Sequence, residues 1–344
     1  LVLTERPVLV TGASGFIGSH IVRELLEHGY RVRGTARSPA RLVEQGHLTA
    51  LPGAAERLDL MAADLNEPGS FDKAVSGCEY VIHTASPYVV VVDDPKRDLL
   101  DPAVDGTVAV LAAARDAGQV RRVVVTSSFA AVTDEPDGVF DEEVWNNASS
   151  LERNPYYYSK VMAERAAWDF AAHEPGLDVI SINPTLVIGP SLVPSLNESN
   201  KVLADLTLGR YPGILSLAYG IVDVRDVATA HRLALENPLA SGRYLCTAGV
   251  WTMRQVVECA RAAHLRLRRL PSLSLDNSIG TALVKLAARF QPPGARSYLL
   301  THLGRLPEID TTKIRNELGM TFRPIEETVV EGYRDLLRWG HVTA

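Results

Sequence analysis

The chain has 344 residues, 46% of them hydrophobic and 22% charged, with a formal net charge of −6. This is globular composition, long enough for a large α/β body with a smaller appended part, and it excludes a disordered chain. The negative balance gives no general electrostatic reason to bind nucleic acid or anionic membrane, and no apolar run approaches the ~20 residues of a membrane helix.

Residues 7–11 (PVLVT) read as a short buried strand, followed by a glycine-rich turn and an apolar helical rhythm through Ile17, Ile21 and Leu25 that ends at Gly29. Residues 31–36 predict a second strand, 57–61 a third, 79–84 (EYVIHT) a fourth and 120–126 (VRRVVVT) a fifth. The helix between the last two puts Val104, Val108, Leu111 and Ala112 on one face and stops at Gly118. Strands alternating with helices imply βαβ crossovers, and so an α/β fold with a doubly wound, Rossmann-type parallel sheet covered on both faces.

After about residue 183 the periodicity weakens, and 184–220 is rich in Pro, Gly, Ser and Leu. Residues 221–224 and 243–247 read as returns to the sheet, each followed by a helix, the second opened by a capping box of Thr252 and Gln255. A mixed stretch beyond Pro271 leads to a last helix over 324–339. The expected organisation is a dinucleotide-binding domain of 1–183 and 221–250, and a smaller, discontinuous substrate domain of 184–220 and 251–344.

The turn after the first strand runs Thr11-Gly12-Ala13-Ser14-Gly15-Phe16-Ile17-Gly18. Glycine lets a backbone turn sharply, approach a pyrophosphate and pack a helix on a sheet, and the anion then sits at the helix's positive N-terminal end. Three glycines at this spacing are weak alone. Between a strand and an amphipathic helix they predict a dinucleotide site, with Thr11, Gly12, Gly15, Phe16, Ile17 and Gly18 against the cofactor. The second strand ends Arg33-Gly34-Thr35-Ala36-Arg37-Ser38, with no acid to take the ribose hydroxyls. Arg37, helped by Ser38 or Arg41, is placed to grip a 2′-phosphate, so the expected cofactor is NADP(H). Asp64 and Leu65, after the third strand, are assigned to the adenine.

Farther on, Tyr156-Tyr157-Tyr158-Ser159-Lys160 opens a helix. Residues four apart share a helical face, so Tyr156 and Lys160 can address one ligand. A free phenol has a pKa of about 10 and is a sluggish acid–base near neutrality, and a neighbouring ammonium lowers that value. Tyr157, three residues before Lys160, is a rival on spacing alone, whereas Tyr158 faces elsewhere. The fifth strand ends in Thr126-Ser127-Ser128 at the carboxyl edge where α/β sheets bind ligands. A serine there can donate to a carbonyl oxygen, and strand alternation lets only one of Ser127 and Ser128 do so.

Together, TGASGFIG, the arginine after the second strand, VIHTASP (81–87), VVVTSS (123–128) and the Tyr-x-x-x-Lys resemble an extended short-chain dehydrogenase/reductase. Within that group the chain resembles the dihydroflavonol/cinnamoyl-CoA reductase-like branch, and in it the yeast-type NADPH-dependent methylglyoxal and carbonyl reductases. The further likeness lies in RDLLDPAV (97–104), SSFAAV (127–132), FDEEVWN (140–146), AERAAWDF (163–170) and DVRDVATAH (223–231). It covers roughly 6–250 well and the rest loosely. The resemblance implies that Ser128 is the catalytic serine, Tyr156 the acid and Lys160 its partner, the lysine also holding the nicotinamide ribose. It further implies that Thr84 and Ala85 border the cofactor and that Pro184 and Leu186 pass beside the nicotinamide. The implied reaction is hydride transfer from NADPH to an aldehyde or ketone, giving an alcohol. One departure is Asp105, which stands where many members carry Asn before Gly-Thr, and it puts a proton-relay role for that position in doubt.

Tyr88 and Phe129 follow the active-site strands and are expected either to line the substrate pocket or to pack in the core. His83 reads as structural or cofactor-lining, and Asp223 and Asp226 as helix-capping partners of Arg225. Trp145, Trp168, Trp251 and Trp339 read as core or interface residues. No metal site is assigned, because the histidines lack ligand spacing. Cys78, Cys246 and Cys259 are too dispersed for a disulfide framework, which fits a reducing cytoplasm, and no basic-then-apolar leader opens the sequence. The expected partner is a small carbonyl or alcohol substrate, with no nucleic acid or membrane, and the chain is a monomer or homodimer. Two competing readings share the fold: an NAD-dependent sugar-nucleotide epimerase or dehydratase (or a hydroxysteroid dehydrogenase), which would favour an acid at Arg37, and a non-catalytic NADP-binding sensor, which could drop the Ser-Tyr-Lys set.

Overall fold

In the computed structural model, which describes residues 5–86, 93–265 and 267–343, the chain begins at β1 (Val8–Thr11) and turns into α1 (Phe16–Glu27). It continues through β2 (Val32–Ala36), α2 (Pro39–Gln45), α3 (Ala54–Arg57), β3 (Leu58–Ala62), α4 (Asp72–Val75), β4 (Tyr80–His83), α5 (Asp101–Asp116) and β5 (Arg122–Thr126). Then come β6 (Gly138–Phe140), α6 (Pro155–His173), β7 (Asp178–Pro184), β8 (Leu186–Ile188), α7 (Glu198–Thr207), β9 (Ile214–Leu215) and β10 (Ala218–Asp223). The rest is α8 (Val224–Glu236), β11 (Gly242–Cys246), β12 (Gly249–Thr252), α9 (Met253–Ala262), β13 (Ser274–Leu275), α10 (Ser278–Ala288), α11 (Pro293–His302), β14 (Pro307–Ile309), α12 (Thr312–Leu318) and α13 (Ile325–Arg338).

Seven strands form one sheet in the order β11-β7-β5-β4-β1-β2-β3, every neighbouring pair parallel. Alternation along β1 shows why both faces need cover. Val8 and Val10 enter a core built with Ile21, Val22 and Leu25 of α1 and Val227 and Ala228 of α8. Leu9 enters the opposite core with Ala74 of α4, Val110 and Leu111 of α5 and Ala167 of α6. The order reverses at β1, so the crevice at its carboxyl end, between the loops after β1 and β4, is the binding position of a doubly wound sheet.

Two sequence expectations need correction. The buried face of α5 is Ala103, Gly106, Thr107, Val110, Leu111 and Ala114, whereas Val108 is 36% exposed. Small residues set this face: a Cβ on Gly106 would lie 2.7 Å from the Leu65 side chain, so apolar bulk misreports which side approaches the sheet. Residues 221–224 do not return to the main sheet. Residues 221–223 belong to β10, which pairs parallel with β8 and antiparallel with β12 in a separate three-stranded sheet, and Val224 opens α8. Ile221 faces the core made by α7, α9 and α13, and Val222 faces the α1/α8 core, so β10 is apolar on both sides whichever sheet holds it.

That third core gathers Leu203, Leu206, Tyr219, Met253, Val257, Val329 and Tyr333. The helix opening at Thr252 has the expected capping box, and Asp223 caps α8 through the Arg225 N–H. Among the described residues no helix is long and apolar enough to cross a membrane.

Candidate active site

At the carboxyl end of β1 the backbone turns too tightly to admit a side chain at two positions. Gly12 has φ +65°, and a Cβ there would lie 2.9 Å from the Ala85 Cα. A Cβ on Gly18 would collide with the Gly12 carbonyl oxygen, so α1 can approach the loop only with glycine at that position. Gly15 is the N-cap of α1, with no side-chain cap and no acid in the first turn, so the helix's positive end meets the crevice unopposed. Thr11 is fully buried and binds protein: its Oγ1 accepts from the Thr84 N–H and the Ala85 N–H, each at 3.1 Å, and lies 2.9 Å from His83 Nδ1. With both lone pairs used, the Thr11 hydroxyl donates to His83, which leaves the imidazole proton on Nε2, facing Thr107 Oγ1 at 3.4 Å. Burial first, then the Lys160 charge, holds His83 down at about 3, so it is neutral and structural.

Arg37 is exposed just past β2 and lines a depression with Ala62, Ala63, Asp64, Glu67, Ser70 and Lys73. Arg33, by contrast, is tied to Asp59 and to the carbonyls of Ala74 and Ser76. Asp64 Oδ1 accepts from the Asn66 backbone N–H at 3.0 Å, an Asx turn, and the Leu65 side chain packs over Gly106. Pro184 ends β7 in register with Cys246, and Leu186 opens β8 against the third core.

The chemical end is assembled from β5, β7 and α6. Ser127 and Ser128 do point apart. Ser127 is buried and donates to Glu164 Oε2 at 2.5 Å, whereas Ser128 is half-buried, and its Oγ accepts from the Ala130 N–H at 3.1 Å. That bond leaves the Ser128 hydroxyl hydrogen to donate elsewhere. Lys160 is 8% exposed; its Nζ donates to Ser86 Oγ at 2.7 Å and lies 5.6 Å from the Tyr156 ring centroid. Burial lowers the Lys160 ammonium to about 8. The hydroxyl of the rival Tyr157 lies 3.3 Å from Nε2 of His302 on α11, whose ring stacks on Tyr298 at 4.1 Å. Asn154, at φ 51°, pins the start of α6 by donating to buried Asp134, which also pairs with Arg153. Phe129 is half-buried, in edge contact with Phe140 and packed with Val144 and Ile309. Asp105 is exposed. Tyr88 lies outside the described residues.

The glycine turn after β1 and the serine, tyrosine and lysine that follow β5 and open α6 thus lie at the carboxyl edge of one parallel sheet. The family model described as the NAD dependent epimerase/dehydratase family matches residues 8–245. The chain belongs to that family. Its members on this pattern are extended short-chain dehydrogenases/reductases, NAD(P)-dependent oxidoreductases, and the dihydroflavonol and cinnamoyl-CoA branch is represented among the relatives. Cinnamoyl-CoA reductase 1 of Arabidopsis thaliana is 43% identical over 343 residues, 98% of this chain and 91% of that protein. Dihydroflavonol 4-reductase of Zea mays is 41% identical over 248 residues, 70% of this chain and 69% of its own. The solved structure of yeast methylglyoxal/isovaleraldehyde reductase Gre2 with NADPH superposes with a TM-score of 0.80 at 29% identity, covering 97% of this chain and 99% of that one. The expected fold and the NADP(H) expectation agree with this neighbour.

Sequence reasoning missed Ser86, Glu164, Arg243 and His302. Glu164 left a signal: it falls four residues after Lys160, a charge on the helix face that meets the sheet. Arg243 left another, a cation inside an apolar strand. His302 left none, since only folding brings α11 to α6.

Proposed function

We propose that this protein is an NADPH-dependent carbonyl reductase that converts an aldehyde or ketone to an alcohol, with Ser128, Tyr156 and Lys160 as its catalytic residues. The observation that carries the reading is the buried Lys160 ammonium, one helical turn from Tyr156, at the sheet edge where the Ser128 hydroxyl hydrogen has no acceptor among the described residues. The residues present fit the cofactor: Gly12 at positive φ against Ala85 and Gly18 against the Gly12 carbonyl permit the tight turn that offers backbone N–H groups to a pyrophosphate, and Arg37 stands where an NAD site favours an acid. Gly12, Gly15, Phe16, Ile17 and Gly18 would hold the pyrophosphate, Arg37 the 2′-phosphate, Asp64 and Leu65 the adenine side, and Thr84, Ala85, Pro184 and Leu186 the nicotinamide half. Thr11 acts by fixing the backbone of Thr84 and Ala85. When bound, NADPH supplies the hydride.

Ser128 donates to the carbonyl oxygen and stabilises the negative charge that grows there. Tyr156 gives that oxygen its proton, and Lys160 holds a positive charge beside the phenol, favouring loss of the proton at the moment of transfer. Burial of Lys160 strengthens that influence by removing screening water. The relatives named for cinnamoyl-CoA, dihydroflavonol and methylglyoxal or isovaleraldehyde reduction have carbonyl reduction in common, which supports this class. The third core, which joins α7 and β10 to α9 and α13, supports a substrate-selecting unit built from 184–220 and 251–344 beside a cofactor unit of 1–183 and 221–250, with Ile221 shared into the third core and Ile314, Leu318 and Met320 packed instead in the α1/α8 core. The free thiols of Cys78, Cys246 and Cys259 support a cytoplasmic setting.

The test is a panel of aldehydes, diketones, ketoesters and aryl ketones, followed by loss of reduced-nicotinamide absorbance with NADPH and with NADH. Turnover of at least one carbonyl, faster with NADPH, is expected. Tight NADPH binding with no carbonyl consumed would remove the proposal.

A further inference from the structure

We infer that Glu164 is a positioning residue that sets Ser128 against Tyr156 and Lys160, and this rests on the assignment of those three residues above. Glu164 lies on α6, four residues after Lys160 and eight after Tyr156, on the same helical face, and is 1% exposed. One carboxylate oxygen accepts from Ser127 Oγ at 2.5 Å and Asn183 Nδ2 at 2.7 Å. The other accepts from Arg243 Nε at 2.7 Å and Trp168 Nε1 at 3.3 Å. The Ser181 hydroxyl, 3.1 Å from Glu164 and 2.9 Å from Asn183 Oδ1, has one hydrogen and serves one of them at a time.

Ser127 is the peptide neighbour of Ser128, and Asn183 Nδ2 also lies 3.3 Å from the Ser128 carbonyl oxygen, to which it donates. The backbone that carries the catalytic hydroxyl is thus held on both sides by groups that converge on Glu164. Tyr156 and Lys160 ride on the helix from which that carboxylate projects. One acceptor therefore fixes the distance between the two halves of the site. An ionised carboxylate suits the position because it only accepts, and every group around it donates. A glutamine would turn an N–H toward those donors. Arg243 has other partners, the carbonyls of Glu142 and Val144 at 2.9 and 2.7 Å and the Trp145 ring at 3.9 Å. Losing the carboxylate's charge therefore does not strip the cation of every contact.

A residue that merely held α6 to the sheet would change stability and leave each folded molecule equally active. The two roles separate in a double-mutant cycle between Glu164→Gln and Ser128→Ala, read as kcat per folded molecule, NADPH Kd and Tm. In the parent chain Ser128→Ala should lower kcat about 100-fold. Glu164→Gln should lower it about 30-fold with NADPH Kd unchanged, and in that background Ser128→Ala should cost less than about fivefold, because the hydroxyl is already misplaced. Ser127→Ala cuts one link without disturbing Arg243, and should show the same non-additivity at smaller size even if the glutamine variant does not fold. Ser128→Ala costing the same factor in every background overturns the positioning role alone. A Ser128→Ala variant as active as the parent removes the assignment of Ser128, and this inference with it.

Discussion

The glycine-rich loop after β1 and the Ser128/Tyr156/Lys160 end lie at the same edge of one sheet, yet they are built in opposite ways. The loop works by absence. Gly12 and Gly18 matter because a Cβ would strike Ala85 or the Gly12 carbonyl, and the ligand would be met by backbone N–H groups. The chemical end works by side chains whose positions depend on distant partners: Ser127 on Glu164, 37 residues away, and Glu164 on Arg243, 79 residues away. A site made of backbone is written locally. One made of converging side chains is completed only by the tertiary fold.

Three changes probe that contrast, beginning with the largest effect. Gly12→Ala should weaken NADPH binding by about 100-fold, since strain at positive φ and the clash with Ala85 push the loop out of the turn that offers its N–H groups, while Ala at the nearby exposed Ser14 should do little. Near-equal affinities for both variants, measured by titrating NADPH fluorescence, would mean the turn does not meet the cofactor. The second concerns pH. With Lys160 lowered to about 8 by burial, its ammonium is present below that pH and lost above it. kcat/KM for carbonyl reduction should therefore fall up to about tenfold per pH unit beyond 8. Lys160→Arg, which stays charged, should abolish that limb at a lower plateau, and an unchanged limb would assign it to another group. The smallest effect is expected from Arg37→Ala, which should raise the KM for NADPH about tenfold and leave that for NADH nearly unchanged. Equal shifts for the two cofactors would take the 2′-phosphate away from Arg37.

The same contrast explains what the sequence made legible. The strand–glycine–helix unit, the alternation of strands with helices that makes a parallel sheet and the divergence of Ser127 from Ser128 follow from periods of 2 and 3.6 and needed no partner. The face of α5 was misread because Gly106 and Ala103 carry its close packing with little apolar signal. β10 was placed in the wrong sheet because both its faces are buried, so no alternation marks its neighbours. Tyr157 stood level with Tyr156 on spacing. The structure sets one difference between them: His302, brought from 145 residues away, lies 3.3 Å from the Tyr157 hydroxyl.

That difference is also where the account is most directly measured. Tyr156→Phe and Tyr157→Phe each remove one hydroxyl, and each can be followed by turnover of a reducible carbonyl beside NADPH titration on the same preparation. Tyr156→Phe should lose about a thousandfold in kcat while holding NADPH within about twofold, and Tyr157→Phe should stay within about tenfold of the parent. A Tyr157→Phe enzyme that binds NADPH but no longer turns over, alongside an active Tyr156→Phe enzyme, would contradict it.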